Sequence, residues 1–352
     1  KRLKPGTTTE KRQGATRYAL ENRPVLGSTT HLSRGPGDLY LIDATVGDIY
    51  LVSSIDPRHV VGRPVIYLVV DHFTRMIAGF YVGFEGPSWL GAMMALENAF
   101  TEKIPFCDRY GKVIREEDWP CSVYPRAITA DRGEMVGYSS DQLVSAFNIR
   151  VTNTPPFRAD FKSLVERQFG ITTERGIERQ PGWVDKMKDR GDSDYRLEAT
   201  FDIKSFTQLM IELVLFNNAS RRISGPVPDG YPLDPNREPT PLSVWNWGME
   251  FFPGLGRRMD SKRVRVNLLP RVTARASRQG LVVHPCQLHY ESATGKAEGW
   301  FEATTGRKSK KVEVSYDPRD VSSIFLRRER DGEIEECPLT PADRPRFEGK
   351  TL

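Results

Sequence analysis

Three carboxylates in this 352-residue chain stand where a charge is costly. Asp43 interrupts the apolar run Tyr40-Leu41-Ile42, Asp131 ends the run Ala127-Ile128-Thr129-Ala130, and Glu166 follows Leu164-Val165. Glu166 lies 35 positions beyond Asp131. Carboxylates gathered in one place repel each other unless a cation neutralises them. Mg²⁺ suits such a set, because it takes oxygen ligands, keeps several waters and also binds phosphate oxygens. Two such ions about 4 Å apart can clamp an in-line displacement at phosphorus. The expected cofactor is therefore Mg²⁺, with Mn²⁺ able to substitute, at two ions per site. Each acid also has a plain structural reading. Asp43 could serve a bulge, Asp131 an Asx-turn before Gly133, and Glu166 an i,i+4 pair with Lys162. Asp48, Asp71, Glu134 and Asp141 are competing acids.

The chemistry requires elements that bring the three acids together. In "GDLYLIDATVGDIYLV", Leu39, Leu41, Ile49 and Leu51 suggest paired strands. Val65 to Val70 and Met76 to Val82 flank Asp71-His72-Phe73-Thr74 as a hairpin. "SWLGAMMALENAFTEK" has helical spacing, with Ser88 as cap. After a charged connection over 104–123 come a strand at "YPRAITAD", a short helix at "SSDQLVSAFNI", a strand at "RVTNTPP" and a helix at "DFKSLVERQFGITTERGI". The long apolar helix "SFTQLMIELVLFNNASRR" follows. Three antiparallel strands followed by βαβ crossovers describe a mixed sheet with helices on its faces. The expected fold class is α/β: a ribonuclease-H-like mixed five-stranded sheet flanked by helices, then a small all-β barrel. In that sheet the first and fourth strands are neighbours, which would bring Asp43 and Asp131 together.

The short alternating strands after "PLSVWNWG" supply the barrel. The expected domains are an extended basic arm over 1–35, a core over 36–250 with an exposed insertion at about 178–200, a basic linker over 251–266, the barrel over 267–330 and an acidic tail over 331–352. Trp245, Trp247, Phe251 and Phe252 read as packing between domains. The net charge of +5 mildly favours a polyanionic partner. Cys107, Cys121, Cys286 and Cys337 form no zinc pattern and read as free thiols in a reducing, cytoplasmic setting. No run of about 18 apolar residues predicts a membrane span. The start at Lys1 reads as a piece of a longer soluble protein.

"DLYLIDATVGDIYLV", "GRPVIYLVVDHFTRMIAGFYVGFE", "EEDWPCSVYPRAITADRGE" and "TPPFRADFKSLVERQF" resemble the integrase catalytic core of DDE transposases, and within them the TnsB type of heteromeric bacterial cut-and-paste transposons. "ARASRQGLVVHPCQLHY" and "VEVSYDPRDVSSIFL" are similar to the Mu-transposase-type C-terminal β-barrel. The resemblance implies that Asp43, Asp131 and Glu166 are the catalytic, metal-binding triad. It also implies hydrolysis of a phosphodiester at each transposon end, then attack of the freed 3′-hydroxyl on target DNA. The implied partners are double-stranded DNA, further copies of the chain on paired ends, a TnsC-like AAA+ ATPase and a TnsA-like endonuclease. The family's N-terminal helix-turn-helix domains have no counterpart in this sequence.

Cations beside these acids suit DNA phosphates. Arg132 follows Asp131, and Arg158, Lys162 and Arg167 flank Glu166. Residues 257–278 hold Arg257, Arg258, Lys262, Arg263, Arg265, Arg271, Arg275 and Arg278 against one acid, Asp260, a self-repelling run that phosphates would relieve. A solvated charge run is the plain alternative. For the whole chain, the alternatives are a ribonuclease-H-like nuclease or resolvase, and a non-catalytic DNA-binding assembly factor.

Overall fold

The computed structural model describes residues 12, 32–86, 88–130, 140–153, 167–170, 176–178, 180–184, 194–223, 226–253, 255–284, 287–302, 309–328 and 333–350. The expected arm over 1–35 lies almost wholly outside them. The chain divides into two units, Lys1–Arg258 and Met259–Leu352.

The first unit is built on strands β1 (Leu39–Val46), β4 (Val65–Asp71), β5 (Ile77–Gly83), β6 (Ala127–Ala130) and β7 (Arg150–Asn153). They form one sheet in the order β5-β4-β1-β6-β7. β1 pairs antiparallel with β4, β4 antiparallel with β5, and β6 parallel with both β1 and β7. This is the ribonuclease-H-like arrangement. β4 and β5 are buried at every position, although β5 is the edge strand, because both are covered on their two faces. Helix α1 (Trp89–Phe100) lies against β5, β4 and β1, and the Ser88 side chain accepts its Gly91 N–H at 3.4 Å.

α1 and β5 approach so closely that only glycine fits at 79. A Cβ there would lie 2.5 Å from the Ala99 backbone nitrogen. Gly79→Ala is expected to cost about 1–3 kcal/mol through this overlap. Urea unfolding checks it, and an unchanged midpoint would contradict this account.

Polar side chains guard the edge strand β5. Asn218, in helix α4 (Ile203–Ser220), accepts the Ile77 N–H at 3.0 Å and donates to the Ile77 carbonyl at 3.1 Å. Trp119 Nε1 donates to the same carbonyl at 2.8 Å, and Asn98 accepts the Phe80 N–H at 3.0 Å.

Four local expectations change. The stretch around Ile49–Leu51 does not pair with β1. Instead β2 (Leu51–Val52) and β3 (Val60–Gly62) make a separate two-stranded sheet. The described residues 180–184, expected in an exposed insertion, run beside this sheet, with Tyr50 N–H donating to Gly182 and Val184 N–H to Asp48, both at 2.9 Å. The 104–123 connection begins with helix α2 (Lys103–Arg109). The aromatic group packs inside the first unit: Phe73 stacks on Trp247 at 6.3 Å and meets Phe252 edge-on at 5.7 Å. Trp247 and Phe251 belong to helix α5 (Pro241–Phe251), while α3 (Ser140–Phe147) precedes β7.

The second unit is a six-stranded antiparallel sheet in the order β10-β9-β8-β11-β12-β13. Its strands are β8 (Arg271–Ser277), β9 (Gly280–Val283), β10 (Leu288–Tyr290), β11 (Lys311–Asp317), β12 (Asp320–Arg327) and β13 (Ile334–Pro338). Ala274, Leu281, Tyr290, Val314, Ile324 and Cys337 fill its interior. The sheet curls until its ends meet. Tyr290 bridges Leu339, Glu291 N–H donates to Pro338 at 2.8 Å, and Thr340 N–H donates to His289 at 2.9 Å. The stretch expected as a tail thus supplies the closing strand, β13, within its described residues 333–350. The expected linker likewise contains helix α6 (Ser261–Leu268), capped by Asp260. Helices α7 (Ala293–Ala297) and α8 (Arg344–Phe347) complete this unit. No helix among the described residues is long and apolar enough to cross a membrane.

Candidate active site and nucleic-acid interface

Asp43 sits in the middle of β1, opposite Leu68 of β4, and is 8% exposed. Its Oδ1 accepts the Ala44 N–H at 3.0 Å. The parallel register of β1 and β6 pairs Leu39 with Ala127 and ends with Ile42 beside Ala130. Asp43 and Asp131 are the next residues after that last pair. The start of the same register is clamped by charge. Asp38, fully buried, accepts Arg126 Nε at 2.6 Å and Arg34 N–H at 2.9 Å. Burial raises the Asp38 carboxyl, but the Arg126 and Arg34 hydrogen bonds outweigh it and hold the group below its usual range.

Asp131, Glu166, Arg132, Arg158 and Lys162 lie outside the described residues, as does the competing acid Glu134. Among the described residues no group of three or more His, Cys, Asp or Glu side chains could hold a metal ion. Two competing acids have structural roles. Asp48 accepts Arg63 Nη2 at 2.5 Å. Asp71 is buried at the end of β4, opposite Tyr40, three register steps from Asp43's partner Leu68. It accepts Gly37 N–H at 2.9 Å, Thr74 N–H at 2.8 Å and Thr74 Oγ1 at 2.7 Å, and so closes the β4–β5 turn.

Burial pushes the Asp71 carboxyl up to about 6, against the hydrogen bonds from Gly37 and Thr74 that favour its charged form. A raised folded-state pKa gives stability that is full below the unfolded value and lost as pH rises through about 6. The stability lead of the wild type over Asp71→Asn should therefore shrink by about 2 kcal/mol or more between pH 4 and 7.5. Denaturant titrations at both pH values check this, and a lead that grows with pH would contradict it.

Arg167 is exposed and opens the described helical residues 167–170. Its neighbour Gln168 is buried, a role the sequence reading missed. Gln168 Nε2 donates to the Arg75 carbonyl at 3.1 Å, and Gln168 Oε1 accepts Arg221 Nη1 at 3.0 Å.

The basic stretch 257–278 divides between the units. In the first, Arg257 Nη2 donates to the Asn148 carbonyl at 3.2 Å, and its guanidinium lies 4.7 Å from the Tyr124 ring centre, so it binds the core together. Arg258 is exposed. In the second, Lys262 is 3.8 Å from Glu336, and Arg271 donates to Glu313 at 3.2 Å. Lys262, Arg263, Arg271, Arg275 and Arg278 are exposed, and Arg265 is half-buried. Along β8, Arg271 and Arg275 alternate with buried Ala274 and Ala276, so both arginines face outward.

Comparison with known proteins adds to this geometry. The TnsB C-terminal domain family matches residues 41–182, and the Mu transposase C-terminal family matches residues 265–335. The transposon Tn7 transposition protein TnsB of Escherichia coli is 38% identical over 316 residues, spanning 88% of this chain and 44% of that protein. Residues 41–182 are thus a TnsB C-terminal domain and residues 265–335 a Mu transposase C-terminal domain. A second relative, the transposase for transposon Tn552 of Staphylococcus aureus, is 19% identical across 83% of this chain and 52% of its own length. The chain thus spans about half the length of these two relatives. Among solved structures, a simian T-cell lymphotropic virus intasome in complex with PP2A regulatory subunit B56 gamma matches 95% of this chain and 86% of its own, at 10% identity and a TM-score of 0.35. The catalytic core domain of BIV integrase matches 61% of this chain and 97% of its own, at 11% identity and a TM-score of 0.32.

Proposed function

We propose that this chain is the catalytic and barrel region of a DNA transposase. It hydrolyses phosphodiesters at transposon ends and joins the freed 3′-hydroxyls to target DNA. The observation that carries this reading is the β1–β6 register, in which Ile42 and Ala130 are partners and each is followed by an aspartate. The matches to the TnsB C-terminal and Mu transposase C-terminal domains support it.

Asp43, Asp131 and Glu166 would hold the Mg²⁺ or Mn²⁺ ions. The fit rests on the donor set, all carboxylate oxygen, and on a buried aspartate in a central strand. Such ions polarise a phosphodiester and stabilise the leaving oxygen. β1, held between β4 and β6, fixes where the Asp43 carboxylate stands, and the Ala44 N–H sets one of its oxygens. The outward arginines of β8 hold duplex DNA through its phosphates. Paired ends require several copies of the chain. A TnsC-like ATPase and a TnsA-like endonuclease are the proposed partners, and the DNA is double-stranded.

The test is to incubate the chain with a transposon-end duplex, a target plasmid and Mg²⁺. Joined end–target products are expected. Hydrolysed ends without joining would instead support a ribonuclease-H-like nuclease. A chain that binds the duplex but leaves every phosphodiester intact would support an assembly factor.

A further inference from the structure

We propose that Arg34, Arg126, Arg150 and Arg257 form a phosphate-binding rim for a second DNA duplex, at the end of the central sheet opposite to Asp43. The nature of the ligand rests on the transposase reading above. All four arginines belong to the first unit.

Backbone contacts assemble the rim at the start of the parallel strands. Arg126 N–H donates to the Gly37 carbonyl at 3.3 Å, and Arg150 N–H donates to the Arg126 carbonyl at 3.0 Å. Tyr124 and Arg257 exchange backbone hydrogen bonds at 2.8 and 3.2 Å. Gly37 and Gly256 let these segments touch, since a Cβ on Gly37 would lie 2.7 Å from Gly256 Cα. Arg34 joins them through its N–H, which donates to Asp38 Oδ2 at 2.9 Å.

The charges are only partly offset. Asp38 engages Arg126 through Nε, on a side chain 47% exposed, and Arg34 feels the same carboxylate at longer range. The other carboxylate at this end, Asp71, is turned to Gly37 and Thr74. Arg257 meets two neutral partners, the Asn148 carbonyl and the Tyr124 ring. Arg34 and Arg150 are exposed, and neither forms an ion pair among the described residues. Four guanidinium groups thus stand against two carboxylates, both fully buried. A phosphate backbone relieves that excess, and planar guanidinium groups match its oxygens two at a time.

Position decides which duplex it is. The shared register of β1, β6 and β7 starts at Leu39, Ala127 and Arg150 and ends at Ile42, Ala130 and Asn153. The rim lies at the start, and Asp43 and Asp131 follow the end. Asp43 is five residues beyond Asp38, about 17 Å of extended chain. A duplex laid across the acid end reaches the rim only by bending back around the sheet, which DNA stiffness opposes. The rim therefore holds a segment other than the one being processed.

The test tethers a transposon-end duplex and binds the full chain to it, in Ca²⁺ so that joining does not intervene. Capture of a free labelled duplex of unrelated sequence is then measured at several salt concentrations. The wild type should capture it, each phosphate contact adding about 0.9 to the slope of log affinity against log salt. Arg34→Gln and Arg150→Gln should each flatten that slope by about 1, and the double variant by about 2, with binding to the tethered end unchanged. Arg150→Lys, which keeps the charge, should retain most of the slope. Thermal melts of these variants should match the wild type, because neither side chain has an ion pair to lose. Unchanged capture by the double variant would overturn the rim and leave the transposase reading intact; loss of binding to an acidic peptide alongside it would assign the rim to a protein partner instead. End binding that falls in step with capture would also overturn it, because the rim would then serve the processed duplex. So would a wild type that binds the end and captures no second duplex. A wild type that binds neither duplex would remove both readings together.

Discussion

Asp43→Asn is expected to lower strand joining by on the order of 10³-fold or more, while the melting temperature and duplex binding stay near those of the wild type. Removing one carboxylate from a metal-binding set forfeits several kcal/mol of transition-state stabilisation, and each 1.4 kcal/mol is about tenfold in rate. The fold should survive. Asparagine has the same shape, and its amide oxygen can still accept the Ala44 N–H that Oδ1 accepts now. β1 keeps its backbone pairing with β4 and β6 either way. A structural aspartate would give the opposite pattern, with lost stability and joining reduced only as far as unfolding requires. Joining assays beside thermal melts separate the two, and near wild-type joining by a folded Asp43→Asn protein would contradict the proposed role.

Lys103→Met is expected to cost about 3 kcal/mol of stability in the first unit. Lys103 is 3% exposed, and its Nζ donates to the Asn98 and Thr101 carbonyls at 2.7 Å, to Ala99 at 3.3 Å and to the Cys121 carbonyl. It closes the C-terminal end of α1 and ties it to the segment leading into β6. Its ammonium also lies 5.3 Å from the Trp119 ring centre. Methionine fills the space but leaves buried carbonyls without their donor. The pH dependence has a definite sign. Burial lowers the Lys103 pKa to about 8 from 10.5, against the charges of the Cys121, Glu97 and Cys107 groups that raise it. The unfolded chain therefore binds more protons between about 8 and 10.5, and the wild type gains stability as pH rises through that window. The deficit of Lys103→Met should thus be larger at pH 10 than at pH 7 in urea titrations. A deficit below about 1 kcal/mol at both pH values would show that the four carbonyl contacts contribute little.

The parts legible in sequence were those with a hydrophobic imprint. β1, β4 and β5 are long apolar runs, and the Asp71–Thr74 turn between the last two breaks them cleanly. Asp43 and Asp131 stood out because each interrupts or ends such a run. Elements held by backbone bonds to remote partners were not legible. β2 is two residues long, and its surroundings depend on Gly182 and Phe201, more than a hundred positions away. β13 reads as acidic tail because Glu335 and Glu336 dominate it, yet Glu335 accepts the Ala293 N–H at 2.5 Å and caps α7. Lys103 looks like one surface lysine among many, since nothing in its neighbours announces four carbonyls. Gln168 is equally silent, because a neutral amide between two arginines leaves no charge pattern.

In the proposed mechanism Asp43, Asp131 and Glu166 share divalent ions beside a scissile phosphate. The most direct test is a structure of the chain bound to transposon-end DNA in Mn²⁺, with the metal located by its anomalous scattering. Manganese peaks ligated by all three carboxylates and by a phosphate oxygen at the transposon end are the predicted result. A DNA-bound structure in which any of the three carboxylates stands apart from the metal would contradict it.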